Sequence, residues 1–191
     1  MILIIADTIM GICLFALFTS ILINFAESSN KKVKKEKKSI VETGTMTLFF
    51  IGFYILIRFK IGEIIINTQF RNFFIITGLT MVVFGCIINI AGRFNLGKNW
   101  ANQIKIYDAH TFTKRGMFRI VRHPLYSSLM LMFYGACFVY PNYLAFLANT
   151  FIFIPFMYYR AKQEEVLLLK TFKEYKQYKK EVGMFSPKII K

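Results

Sequence analysis

Five apolar stretches divide the chain, at residues 2–25, 44–66, 73–91, 125–140 and 142–159. Each is about as long as a helix needs to cross the hydrocarbon of a bilayer, roughly 17 to 25 residues, with the last two near the lower limit. The second is interrupted by Arg58, Lys60 and Glu63, so its helix is predicted to end near Phe59, with the two basic side chains reaching back to the interface. Tyr140, Pro141 and Asn142 separate the fourth and fifth runs with turn chemistry, which predicts a tight antiparallel hairpin. Pro155, inside the fifth run, removes one N–H and is expected to bend that helix and free a carbonyl.

Beyond residue 159 the pattern changes. Leu167, Leu168, Phe172, Tyr175 and Tyr178 alternate with many lysines, as in an amphipathic helix lying on a membrane surface. The predicted fold class is therefore all-α: a polytopic membrane helix bundle of about five transmembrane helices with a C-terminal amphipathic cytoplasmic helix. Residues 1–91 would hold three transmembrane helices and a basic cytoplasmic loop at 27–43. Residues 92–191 would hold a cofactor-binding segment, the transmembrane hairpin and the tail, the whole forming one structural domain. The first run lacks a basic leader and a small-residue cleavage site, so it reads as a retained span.

Composition agrees. The chain has 191 residues, 55% of them hydrophobic and 22 of them Phe, which is too apolar for an ordinary soluble domain. The formal net charge of +15 could point to nucleic acid, but its placement does not. Six lysines lie within 31–38, seven Lys or Arg within 92–124, and nine from Arg160 onward, leaving Arg58, Lys60 and Arg71 of the 25 basic residues. With five spans, the three basic segments share one face. The positive-inside rule makes that face cytoplasmic, beside anionic lipid, and no nucleic-acid partner is expected. Cys13, Cys86 and Cys137 each sit in a different apolar run without a C-x-x-C. They read as small buried hydrophobes, and no metal site is expected.

Two polar clusters adjoin the last two runs. Residues 116–126 read Gly-Met-Phe-Arg-Ile-Val-Arg-His-Pro-Leu-Tyr, and residues 160–165 read Arg-Ala-Lys-Gln-Glu-Glu. Ionisable groups beside hydrocarbon are costly and suggest a site. Pro124 suits the first turn of a helix, leaving Arg122 and His123 at an N-terminus that favours anionic ligand groups. Arg160 and Glu164, four apart, share a helix face. The residues alone leave two readings open: opposite walls of one pocket, or a capped helix entry and an exposed ion pair. The intervening segment carries the only Trp, Trp100, and Gly92, Gly97 and Gly116, which permit turns.

The order of these pieces resembles the isoprenylcysteine carboxyl methyltransferase family over roughly residues 96 to 187, about half the chain. The matching residues are Leu-Gly-Lys-Asn-Trp100, Gln103, His-Thr-Phe-Thr113, Gly116, Arg-His-Pro-Leu-Tyr126, Arg160-x-x-x-Glu164-Glu165, Phe172-x-Glu-Tyr175-x-x-Tyr178 and Pro187. The resemblance implies S-adenosylmethionine as methyl donor. It implies contacts to that cofactor from Gln103, His110, Thr111, Phe112, Thr113, Phe118, His123, Pro124, Leu125, Tyr126 and Glu164. Arg160 would bind the acceptor's carboxylate, with Arg160, His123 and Glu164 at the catalytic centre on the cytoplasmic side. The expected partner is a lipophilic small molecule or lipidated acceptor in membrane lipid. Three positions depart from the family's pattern: Phe118 stands for Tyr, Ser128 for Gly, and Phe112 for an aliphatic residue. Other readings are methylation of a phospholipid amine or small thiol, an NADPH-dependent membrane sterol or enone reductase with a similar Arg-His-Pro-x-Tyr, and a non-enzymatic small membrane scaffold or haem protein, with His110 and His123 as the two histidines.

Overall fold

The structure is a computed structural model describing residues 1–28, 33–37, 43–97, 104–107 and 113–188. Its helices are α1 (Ile2–Ser28), α2 (Thr43–Arg58), α3 (Thr68–Leu96), α4 (Pro124–Val139), α5 (Tyr143–Ala148), α6 (Ile154–Thr171) and α7 (Tyr175–Glu181); the first five follow the apolar runs, α6 continues past Tyr159 into the basic tail, and α7 lies within that tail. Residues 149–153 continue α5 into α6 through a π-helical turn, directly before Pro155, where the regular bonding ladder must be broken. Among the described residues, three helices are long and apolar enough to cross a membrane: Ile2–Ala26, Thr68–Leu96 and Tyr143–Thr171. Two shorter apolar helices, Gly44–Arg58 and Pro124–Val139, accompany them. Large apolar side chains such as Ile12, Phe15, Leu48, Phe73 and Phe151 cover the outside. Such a surface is stable against lipid and not against water. The molecule is an integral, multi-pass membrane protein.

The main seam joins α3 and α4. Gly78, Gly85 and Gly92 recur every seven residues along one face of α3. A Cβ on Gly78 would stand 2.4 Å from the carbonyl oxygen of Gly135; one on Gly85 would meet Met132 and the Ser128 carbonyl, and one on Gly92 would meet Leu125 and Pro124. The partners run backward in sequence, so the helices are antiparallel, in the close backbone approach that small residues allow in membranes. Gly92 is thus a packing residue inside α3, not a turn. Helix α1 runs alongside α3. Cys13, Leu17, Val82, Cys86 and Met132 form one buried cluster, and all three cysteines are free and buried.

One end of the bundle is closed by the predicted hairpin turn. The Asn142 side chain caps α5 at Ala145 N (2.9 Å) and donates to the carbonyls of Leu56 and Ile61. The basic segments gather at the other end. Strand β1 (Val33–Lys37), within the lysine run, pairs antiparallel with β2 (Ile104–Tyr107), adding a two-stranded ribbon to the helices. The chain after α7 pairs with the entry to α4, through Val121 and Gly183. All three basic segments therefore share one face, as the charge distribution requires.

Candidate active site

The two polar clusters converge at that basic end. Pro124 starts α4, which places His123 and Tyr126 on its first turn, and α6 carries Arg160, Glu164 and Glu165 past them. Tyr126 donates its hydroxyl hydrogen to Glu164 Oε1. Arg160 Nε donates to the Tyr126 hydroxyl oxygen at 3.0 Å and lies 3.5 Å from Glu164 Oε1. The imidazole of His123 lies between two carboxylates, with Nδ1 3.5 Å from Glu164 and Nε2 3.4 Å from Glu165. Its ring stacks on Tyr126 with centroids 5.5 Å apart.

A ring with acceptors at both nitrogens satisfies them best as an imidazolium, where both nitrogens donate. Burial opposes that charge, but hydrogen bonds and charges from Glu164 and Glu165 outweigh it, and the His123 pKa is raised. Glu165 also accepts from Arg122 Nε at 2.8 Å and forms an ion pair with Lys179 at 2.7 Å. Two carboxylates thus face four basic groups, a pairing that buried charge demands. Glu164 is the open lip of this array: its side chain is 25% exposed, against 6% for His123 and 1% for Glu165.

The tail locks this arrangement. Arg122 N donates to Gly183 O (2.8 Å), His123 N to Met184 O (3.1 Å), and Ser127 Oγ to Phe185 O (2.9 Å). Tyr175 and Tyr178 are buried and turn inward, not toward lipid. Burial raises both phenol pKa values, so they stay neutral. Tyr178 donates to the carbonyl of Phe118. On the other side, Asn89 Nδ2 donates to Ser128 Oγ (2.7 Å) and Leu125 O (3.2 Å), and Arg93 Nε donates to Asn89 Oδ1 (2.9 Å). Ser128 is thereby a hydrogen-bonding contact to α3. Gly116 (φ 55°) could not carry a side chain, since a Cβ would fall 1.9 Å from Asn95 Oδ1, the atom that accepts from Met117 N at 2.8 Å.

Of the site residues expected from the sequence, His123, Tyr126, Arg160 and Glu164 come together. Pro124 and Leu125 turn their side chains toward Gly92. Phe118 lies in the short 3₁₀ turn Gly116–Arg119, and Thr113 precedes it. Gln103, His110, Thr111 and Phe112, with Trp100, lie outside the described residues. Lys179, residues 182–185 and Met46, whose Sδ accepts from Arg160 Nη1 at 3.6 Å, join the array without a mark in the sequence. Glu165 adjoins Glu164, which is a signal for it; the other contacts join residues remote in sequence and leave no such sign.

The span that carries Arg-His-Pro-x-Tyr and Arg-x-x-x-Glu-Glu matches a known family. The sequence profile of the isoprenylcysteine carboxyl methyltransferase family aligns with residues 77–170. The match covers just under half of the chain. A probable protein-S-isoprenylcysteine O-methyltransferase of Oryza sativa subsp. japonica is 31% identical over 108 residues, 55% of this chain and 56% of that protein. Protein-S-isoprenylcysteine O-methyltransferase of Homo sapiens is 32% identical over 110 residues, 56% of this chain and 39% of that protein. The matched part spans about half the length of the rice relative and less of the human one. The structure of the eukaryotic intramembrane Ras methyltransferase of this family, determined without a monobody, superposes with a TM-score of 0.60 and 22% identity, covering 77% of this chain and 53% of that one. The family's membrane fold is therefore shared. His123, Tyr126, Arg160, Glu164 and Glu165 fall inside the family span; Met46, Lys179 and the tail fall outside it.

Proposed function

We propose that this protein is a membrane methyltransferase that uses S-adenosylmethionine and O-methylates the carboxylate of a lipophilic, isoprenylcysteine-like acceptor at the cytoplasmic face. The observation that carries this reading is the meeting of Arg160, Tyr126, Glu164 and His123 where the apolar helices end. The residues fit such a cofactor. Glu164 is a partly exposed carboxylate at the rim of a buried array, suited to accept from the hydroxyl and ammonium groups of a nucleoside amino acid. When bound, the cofactor supplies an electrophilic methyl group on a sulfonium centre.

An acceptor carboxylate is already ionised at neutral pH, so no residue need remove a proton. Both ring nitrogens of His123 face carboxylates; its part is to fix Glu164 and Glu165, not to act as a base. Arg160, held at Nε by Tyr126 and Glu164, orients its guanidinium toward an incoming carboxylate. Alignment and exclusion of water then contribute several kcal/mol to the rate. The membrane setting suits the pair of reactants, because a lipid-borne acceptor and a water-soluble donor meet only at the interface.

Isothermal titration of the detergent-purified protein with S-adenosylhomocysteine tests this. Wild-type protein binds it, and Glu164→Ala weakens binding at least about tenfold, the effect of losing one charged hydrogen bond. Absence of binding by wild-type protein, with NADPH oxidation on an enone lipid, would reverse the assignment in favour of a reductase.

A further inference from the structure

Helix α2 lies wholly outside the family span of residues 77–170, yet it supplies a side chain to the site. Met46, on its first turn, has its sulfur 3.6 Å from Arg160 Nη1. The same side chain packs into the apolar cluster of Met130, Phe153 and Met157, beside Phe49 and Phe156. Met46 therefore stands where the charged end of the site joins its apolar wall.

A thioether is a weak acceptor. It can occupy a guanidinium N–H but is readily displaced by a carboxylate, whose charge-assisted bond is much stronger. Methionine is also unbranched and adaptable, able to swing aside or refill a gap. We propose that Met46 is a specificity-determining residue. Its sulfur caps Arg160 until an acceptor carboxylate replaces it, and its volume sets the size of the apolar group lying next to that carboxylate. This rests on the methyltransferase reading above and adds to it the selection of acceptors by α2.

The test compares methyl transfer to N-acetyl-S-farnesylcysteine and N-acetyl-S-geranylgeranylcysteine by wild-type protein, Met46→Leu and Met46→Ala. S-adenosylhomocysteine binding is measured on each to verify a folded donor site. Met46→Leu keeps the bulk without the sulfur and lowers KM for both acceptors. Met46→Ala opens the space and changes the ratio of kcat/KM for the two acceptors by about tenfold, the scale on which hydrophobic pockets discriminate. Unchanged KM in Met46→Leu together with an unchanged ratio in Met46→Ala, while wild-type protein turns over both acceptors, overturns the role of Met46 and leaves the methyltransferase reading standing. Wild-type protein that neither binds S-adenosylhomocysteine nor transfers a methyl group defeats that reading itself.

Discussion

Replacing Glu165 by Gln removes one of the two carboxylates that hold His123 while keeping the side chain's size. Glu165 is 1% exposed and Arg122 8%, so solvent screening is slight. Removing one partner of a buried pair costs about 3–5 kcal/mol. Gln retains a carbonyl oxygen for Arg122 Nε, which places the expected loss toward the lower end. Part of that loss depends on pH. The folded-state pKa of His123 is raised above its ordinary value of 6.5. Its contribution to stability is therefore complete below that ordinary value and fades as pH rises through the folded one. Each unit by which the substitution lowers the imidazole pKa removes about 1.4 kcal/mol of this contribution. Denaturant unfolding in detergent, followed by tryptophan and tyrosine fluorescence from pH 5.5 to 9 in roughly half-unit steps, should show the largest gap between wild type and Glu165→Gln at the acid end. The gap then narrows with rising pH to the part owed to Arg122 and Lys179. A gap independent of pH would refute the imidazolium bridging two carboxylates.

Arg160→Lys loses the planar fork and should raise KM for a carboxylate acceptor by about tenfold or more, while equilibrium binding of S-adenosylhomocysteine changes little. Gly78→Ala places a methyl group against the Gly135 backbone and should cost about 1–3 kcal/mol in denaturant unfolding. Gly11→Ala, with nothing within 4 Å, should be neutral or stabilising by up to about 1 kcal/mol. Truncation after Glu181 removes the carbonyls that hold Arg122, His123 and Ser127 and should abolish S-adenosylhomocysteine binding, measured by the same titration, even if the helices still assemble.

The apolar pattern made the fold class legible because each bilayer-crossing helix must satisfy its own backbone, whatever its neighbours are. For the same reason the limits of α2 and α4 lie within about a residue or two of those read from the chain. The asymmetry of lysine and arginine likewise foretold that three distant segments share one end. His123, Arg160 and Glu164 stood out in the sequence because ionisable residues beside hydrocarbon are costly; that they meet is a contact of the folded chain.

Other features depended on the meeting of distant parts. Tyr175 and Tyr178 read as a surface-helix face, since aromatics spaced three apart look the same whether they meet lipid or protein; the packing of α7 against α6 and the Arg122–Glu165 pair turned them inward. Gly92 read as a turn because glycine's freedom is visible in sequence, whereas the approach of Pro124 that requires its small size is not. The five apolar runs and their flanking charges therefore determined the helices and their common basic end by local energetics alone. The tertiary structure decided which carboxylate faces His123, how the tail clamps it and that Met46 meets Arg160, because those contacts bring together side chains remote along the chain, and their distances depend on helix rotation and close packing that no local pattern encodes.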